Sequence, residues 1–356
     1  MIRPDATKQL AEAIAKAPEV ETDHAVKPVS FFDLKQQHPR LRPPVVDGLL
    51  RRGETGNIIA APKVGKSWLA YYLGLCINTG SAFLDLFDCD AGPVLLIDNE
   101  LHPETIAHRI PKVAEAMGID HADYVDTFDV LHLRGRGVSM LDLSRYIDQI
   151  DTGYYRAVIL DAWYRFIPQG LSENANADVM TLYNRLDQYA AQTDAAWFVI
   201  HHSSKGNQGE KNVTDVGAGA GSQARAADAH IVLRQHEEDD AVVLEAAVRS
   251  FPPVEPVALR WDFPTWTRAY SLDTTALKGR KTKGEQRQDE RDAEGMETIR
   301  NTLAGGAMTP RQLREETGFG AGRVERLLDK LTACGQAAYD ETKVRGNPAR
   351  TYHLSA

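Results

Sequence analysis

The sequence predicts an α/β domain built on a mostly parallel sheet, followed by a small unit of three helices and a β-wing. Three observations carry that expectation. Short continuous apolar runs alternate with amphipathic helical stretches over the first three quarters of the chain, as in sheets covered on both faces. Several of those runs end abruptly in polar or charged groups. A charged stretch without apolar periodicity, residues 277–292, then separates this part from a C-terminal segment with its own helical apolar repeat.

Composition sets the bounds. The 356 residues suggest about two domains. Apolar content of 43 % is enough for a full core, and the net charge of −9 argues against a chain that is basic throughout and coats nucleic acid. The three cysteines, Cys76, Cys89 and Cys334, show no metal-ligand spacing and no disulfide framework, which suits a reducing cytoplasm. No apolar run approaches the length of a membrane span.

Residues 1–28 read as a mobile arm, with a short helix over Gln9–Ala17. Residues 29–55 carry aromatic and proline punctuation and are expected to pack beside the first core strand. Ile58 to Ala61 is a buried strand, Pro62-Lys63-Val64-Gly65 a turn, and Lys66-Ser67 the start of a helix with apolar residues at Leu69, Tyr72, Leu73, Cys76 and Ile77. Further strands are expected at Pro93–Glu100, Tyr124–Leu133, Tyr155–Asp161, Ala196–His202, Ala229–Arg234, Ala241–Arg249 and Val257–Asp262. Helices are expected at Thr105–Met117, Leu141–Ile150 and Asp178–Thr193.

The stretch from Gly56 to Thr79 organises the rest. Strand, tight loop, Gly-Lys-Ser and helix is a phosphate-binding loop in its required context. Backbone N–H groups at the helix start lack intrahelical partners and point at an anion with the positive end of the helix dipole. Residues Ala61, Pro62, Lys63, Val64, Gly65, Lys66, Ser67 and Trp68 are the candidate nucleotide contacts, ATP the expected cofactor. Lys66 would neutralise the β- and γ-phosphates, and Ser67 would ligate Mg²⁺. One departure stands out: Ala60 occupies the place of the usual first glycine.

In parallel sheets ligands bind beyond the carboxyl ends of the strands. Asp161 ends one strand and is the candidate to hold Mg²⁺ together with Ser67. Glu100 ends the preceding one and is the candidate general base for an attacking water, with Asp98 as its competitor. His202 is the candidate sensor of the γ-phosphate, with His201 competing. Arg249 and Arg234 end later strands and are candidates for an arginine finger reaching a neighbouring subunit, as is Arg225. Lys205 and Lys211, in the glycine-rich stretch 203–222, are candidates for phosphate contact.

The residues A-A-P-K-V-G-K-S, L-L-I-D-N-E-L, V-I-L-D-A-W-Y-R-F, V-I-H-H-S-S-K-G and G-A-G-S-Q-A-R-A-A-D, in that order, resemble the RepA-type branch of the RecA-like ATPases, over roughly residues 40–270. That resemblance implies a RecA-like P-loop NTPase core and Mg²⁺-dependent ATP hydrolysis. It further implies helicase or replication-motor action on single-stranded DNA, and a homo-oligomer, a hexameric ring with ATP sites between subunits. By position it supports Lys66, Ser67, Glu100, Asp161 and His202 in the roles above, and leaves Arg249 and Arg234 both open as the finger.

The resulting division is an arm over 1–28, an ATPase domain over 29–276, a charged linker over 277–292 and a winged-helix-like domain over 293–356. In the last, helices are expected at Glu294–Leu303, at Pro310–Thr317 behind the N-cap Thr309, and at Ala321–Ala333 with Val324, Leu327, Leu328 and Leu331 on one face. Strands Ala337–Lys343 and Arg350–Leu354 form the wing. The pattern is that of winged-helix domains, which implies contact with duplex DNA through Arg323, Arg326 and Lys330, and through Lys343, Arg345 and Arg350 of the wing.

Overall fold

The computed structural model describes residues 28–203, 212–216, 223–279, 283–344 and 347–355. The expected N-terminal arm, the lysines of the glycine-rich stretch and Arg345 lie outside the described residues. The chain divides into two compact units between Arg280 and Lys281.

The first unit opens with helix α1 (Phe31–Gln37), which Ser30 caps and which buries no residue. The short strands β1 (Pro44–Val46) and β2 (Leu50–Arg51) follow, and Val45, Val46, Leu49 and Leu50 enter the core. Then come β3 (Thr55–Ala60), α2 (Lys66–Thr79), β4 (Val94–Asp98), α3 (Pro103–Ala116) and β5 (Phe128–His132). The short α4 (Ser144–Ile147), β6 (Ala157–Asp161), α5 (Asn176–Thr193), β7 (Ala196–His202) and the short α6 (Gln223–Ala226) continue it. Last are β8 (Ala229–Gln235), β9 (Ala241–Val248), β10 (Val257–Asp262) and β11 (Thr265–Arg268).

One nine-stranded sheet runs β11-β10-β9-β8-β3-β7-β6-β4-β5. The strands from β8 to β5 are parallel, and β9, β10 and β11 extend the β8 edge antiparallel. This is the α/β class with a mostly parallel sheet that the sequence predicts. The strand β11 is additional to the expected set, because Thr-Trp-Thr-Arg is too short for alternation to declare itself. The helix expected over Leu141–Ile150 is α-helical only at Ser144–Ile147.

Alternation along each strand sorts side chains into two layers. Leu96, Ile159, Phe198 and Ile200 face α2 and α3, packing with Leu69, Leu73, Ile106 and Val113. Ile97, Val158, Leu160, Trp197 and Val199 face α5, packing with Val179, Leu182 and Leu186. Helix α2 is buried on nearly every side, so its sequence is apolar all round rather than striped. It also approaches the sheet closely. A Cβ on Gly74 would stand 2.8 Å from the Phe128 ring and 3.1 Å from Ile159, so the contact needs glycine.

The second unit holds α7 (Lys283–Leu303), α8 (Pro310–Thr317), α9 (Ala321–Ala333) and the antiparallel pair β12 (Ala337–Val344) and β13 (Asn347–Leu354). Helix α7 starts at Lys283, inside the stretch expected as a linker. Glu, Gln and Arg there are good helix formers despite their lack of apolar residues, and Gln288 Nε2 donates to Asp292 at 2.8 Å one turn on. Helix α8 has the expected Thr309 cap, completed as a capping box by Gln312. The expected stripe of α9 is fully buried against Ile299, Leu303 and Leu313.

Candidate functional site

The site is built at the carboxyl end of the parallel strands. The loop between β3 and α2 turns through two left-handed residues, Lys63 (φ 65) and Gly65 (φ 82). Gly65 caps α2 without a side chain in the way, which leaves the first N–H groups of the helix facing the loop's interior. Ala60, at the position of the usual first glycine, is the last residue of β3 and is fully buried.

Lys66 is 7 % exposed. Its ammonium donates to the carbonyls of Ala60 (3.1 Å) and Ala61 (2.9 Å) and to His202 Nδ1 (3.1 Å). Burial lowers its pKa, while Asp161 and Glu100 pull it back up. Because Nδ1 accepts from Lys66, His202 is held neutral. Burial, and then the Lys66 charge, lower its pKa below 6.5. His201, one residue earlier, faces the opposite layer, where its Nε2 meets the Tyr183 hydroxyl at 3.1 Å and its ring lies beside Trp163. Of the two histidines, then, His202 is the one at the phosphate loop.

Asp98 and Asp161 are Cα partners across β4 and β6, both essentially buried. Asp161 receives a hydrogen bond from Ser67. Burial, and then the neighbouring Asp98, raise its pKa to about 7. Asp98 Oδ1 accepts from the backbone N–H of Glu100 (2.8 Å) and Leu101 (2.7 Å), so it holds the turn that aims Glu100 into the cleft. Tyr164 donates to Glu100 Oε1 at 3.4 Å. Asp98 Oδ2 and Asp161 Oδ2 are buried without a hydrogen-bond partner among the described residues. Two unpaired carboxylate oxygens beside a serine hydroxyl fit a hard divalent cation such as Mg²⁺. Among the described residues no cluster of three or more His, Cys, Asp or Glu could hold a metal on its own. Nucleotide oxygens and water would therefore complete the ligand set around Ser67 and Asp161.

Lys66, Ser67, Glu100, Asp161 and His202 line one cleft of about 440 Å³, which Lys63, Val64, Gly65 and Trp68 also border. A P-loop, a buried lysine, a paired Ser–Asp and a carboxylate on one wall form a nucleotide-triphosphate site in outline. A family described as an AAA domain matches residues 19–208, more than half of the chain. The chain belongs to this AAA-domain family. The match takes in β3, β4, β6 and β7, the strands that supply Lys66, Glu100, Asp161 and His202. Two solved structures are similar to this AAA-domain chain. One, an ATPase domain, has 14 % identity and a TM-score of 0.47, over 74 % of this chain and 98 % of that one. The other, the RadB recombinase, has 16 % identity and a TM-score of 0.43, over 59 % and 87 %. No helix among the described residues is long and apolar enough to cross a membrane.

The two strand-end finger candidates lie outside the cleft of the AAA domain. Arg234 is 4 % exposed and paired with Glu245 on the adjacent strand at 2.6 Å. Arg249 is 54 % exposed at its side chain, pairs with Asp228 at 3.5 Å and donates to the carbonyl of Arg225. In the second unit, Arg326 and Lys330 are tied to the buried Asp292 at 2.9 and 2.8 Å, and Arg323 donates to the carbonyl of Arg291 and stacks on Phe319. The pull of Arg326 and Lys330 holds the Asp292 carboxyl well below the usual range.

Sequence reasoning missed part of the lining. Arg109, on α3, enters the cleft with its guanidinium 4.8 Å from the Trp68 ring centre. Trp261 and Trp266, on the β10–β11 hairpin, also line the cleft, as do Gln235 and Asp240. The signal available was the cluster Trp-Asp-Phe-Pro-Thr-Trp, dense in aromatics for a polar turn.

Proposed function

We propose that this chain is a RecA-like, Mg²⁺-dependent ATPase that works on DNA as a ring-forming motor of the RepA type. The observation that carries the reading is the convergence of Lys66, Ser67, Asp161, Glu100 and His202 on one cleft at the strand ends. Lys66 neutralises phosphate charge and exchanges its present acceptors for phosphate oxygens. Ser67 and Asp161 hold Mg²⁺, which when bound supplies charge neutralisation at the phosphate oxygens. Glu100 takes the proton of the attacking water, and Asp98 keeps it aimed. His202 shares Lys66 and so senses any change at the lysine when the γ-phosphate leaves.

A ring with ATP sites between subunits would take its arginine finger from a neighbouring copy. Arg109 is the arginine that lines the chain's own cleft; Arg234 and Arg249 do not line it, so either could act as a finger only in a neighbouring copy's site. Arg249, exposed at the end of β9, is better placed for that than Arg234, whose buried ion pair with Glu245 would be costly to break. For the second unit, we favour a supporting role over reading duplex DNA through α9. Such contact would have to share Arg326 and Lys330 with Asp292, which offsets part of their charge.

The test is the Mg²⁺-dependent ATPase rate of the full chain alone, with single-stranded DNA and with duplex, using Lys66→Ala as control. Stimulation by single-stranded DNA beyond severalfold is expected. Slow hydrolysis indifferent to DNA would replace the motor with an ATP-switched regulator.

A further inference from the structure

The cleft also carries an aromatic wall that rises from the phosphate loop. Trp261 is half-buried there, 4.9 Å from the Trp266 ring centre and 6.5 Å from that of Trp68. Trp266 is 4 % exposed, yet its indole Nε1 has no hydrogen-bond partner among the described residues. A buried indole N–H normally finds one. Trp197, equally deep in the opposite layer, donates to Thr193 Oγ1 at 3.1 Å. The ring edge of Trp266 that carries Nε1 also carries Cζ2. That atom lies 3.4 Å from where a Cβ on Gly65 would stand, and Trp261 Cζ3 lies at the same distance. Both indoles therefore roof the phosphate loop at its left-handed glycine. Gln235 and Asp240 line the same cleft and add an amide and a carboxylate, and the Trp261 backbone N–H donates to the Asp240 carbonyl at 2.7 Å.

We infer that the β10–β11 hairpin is the nucleoside seat of this site: a purine base stacks on Trp261, and the Trp266 indole N–H donates to a nucleotide oxygen beside Gly65. This rests on the nucleotide reading above and adds to it the groups that recognise the base end. Aromatic stacking suits the wide face of a purine, and the amide and carboxylate suit its exocyclic and ring nitrogens. The hairpin lies beyond residue 208, outside the stretch matched to the AAA-domain family, so this end of the cleft belongs to the chain's own C-terminal extension of the sheet.

The experiment is calorimetric titration of the full chain with ATP, CTP and inorganic tripolyphosphate in Mg²⁺. One stacking contact is worth about tenfold in affinity, so ATP should bind about tenfold more tightly than tripolyphosphate, with CTP weaker than ATP. Trp261→Leu should erase the advantage of ATP and leave tripolyphosphate binding unchanged, whereas Trp261→Phe should retain most of it. Trp266→Phe, which keeps a ring but loses the donor, should weaken ATP binding severalfold. Equal affinity for ATP and tripolyphosphate overturns the inference while sparing the phosphate-loop reading. So does a Trp261→Leu protein that weakens both ligands alike. CTP binding as tight as ATP removes the purine preference. Failure of the wild-type chain to bind any of the three overturns the nucleotide reading itself, and this inference with it.

Discussion

Lys66 Nζ stands 3.1 Å from His202 Nδ1, joining the phosphate loop to the end of the neighbouring strand β7. The parallel register pairs Ala60 with His202, so the end of β3 and the end of β7 are set side by side before any side chain is placed. Removing the lysine takes away the principal charge for the phosphates. Lys66→Ala should lower turnover at least about 100-fold. His202→Gln, which removes the Nδ1 acceptor but adds no charge, should cost less and leave nucleotide binding in place. Steady-state hydrolysis and nucleotide titration on both variants check this.

Glu100 and Asp98 divide the work at the end of β4. Asp98 holds two backbone N–H groups and cannot also face water freely, while Glu100 borders the cleft. Glu100→Gln should retain ATP affinity and lose about 10²- to 10⁴-fold in turnover. A Glu100→Gln protein that hydrolyses at the wild-type rate would remove Glu100 from the base role.

Asp161 gives two opposite pH effects. Its carboxyl, raised to about 7 by burial and Asp98, would have to ionise to hold the Mg²⁺ proposed for it. The Mg²⁺ concentration for half-maximal activity should therefore rise as pH falls below about 7, by up to roughly tenfold per unit. Stability moves the other way. A carboxyl raised from 3.8 in the folded state binds protons more tightly than in the unfolded chain, so it costs stability as pH rises from 3.8 to about 7. Asp161→Asn removes that cost. The variant should be inactive yet more resistant to urea than wild type above pH 7, with the gain shrinking as pH falls toward 3.8. An equal difference in urea midpoint across that range would contradict it.

Tyr183 anchors the layer behind the site. Its hydroxyl donates to Asn57 Oδ1 at 2.9 Å and meets His201 Nε2 at 3.1 Å, all of them buried. Tyr183→Phe withdraws one partner from each and should cost about 1–3 kcal/mol of stability, read by urea unfolding.

The parallel part of the fold was legible in the sequence because each strand is a continuous apolar run, and each candidate group that lines the cleft sits at the run's last residue or just beyond it. Gly65, Lys66, Ser67, Glu100 and Asp161 could be found that way. The choice between His201 and His202 could not, since it depends on which layer each residue enters, and that is set by register against β3. The tether of Arg326 and Lys330 was hidden for a different reason. Asp292 lies in a stretch whose charges read as solvated, and only the packing of α7 on α9 buries it. The aromatic hairpin escaped because β10 and β11 are brought to the phosphate loop through β8 and β9, a route no local spacing encodes.

The tryptophans of the chain have a practical consequence. Of the five, Trp68, Trp261 and Trp266 border one cleft, while Trp163 and Trp197 belong to the opposite layer of the core. Ultraviolet emission from the unlabelled protein is therefore weighted toward that cleft, over a steady background from the other two. Any occupant that touches the indoles should be visible as quenching or a spectral shift, in real time and without a dye. The chain carries its own optical gauge.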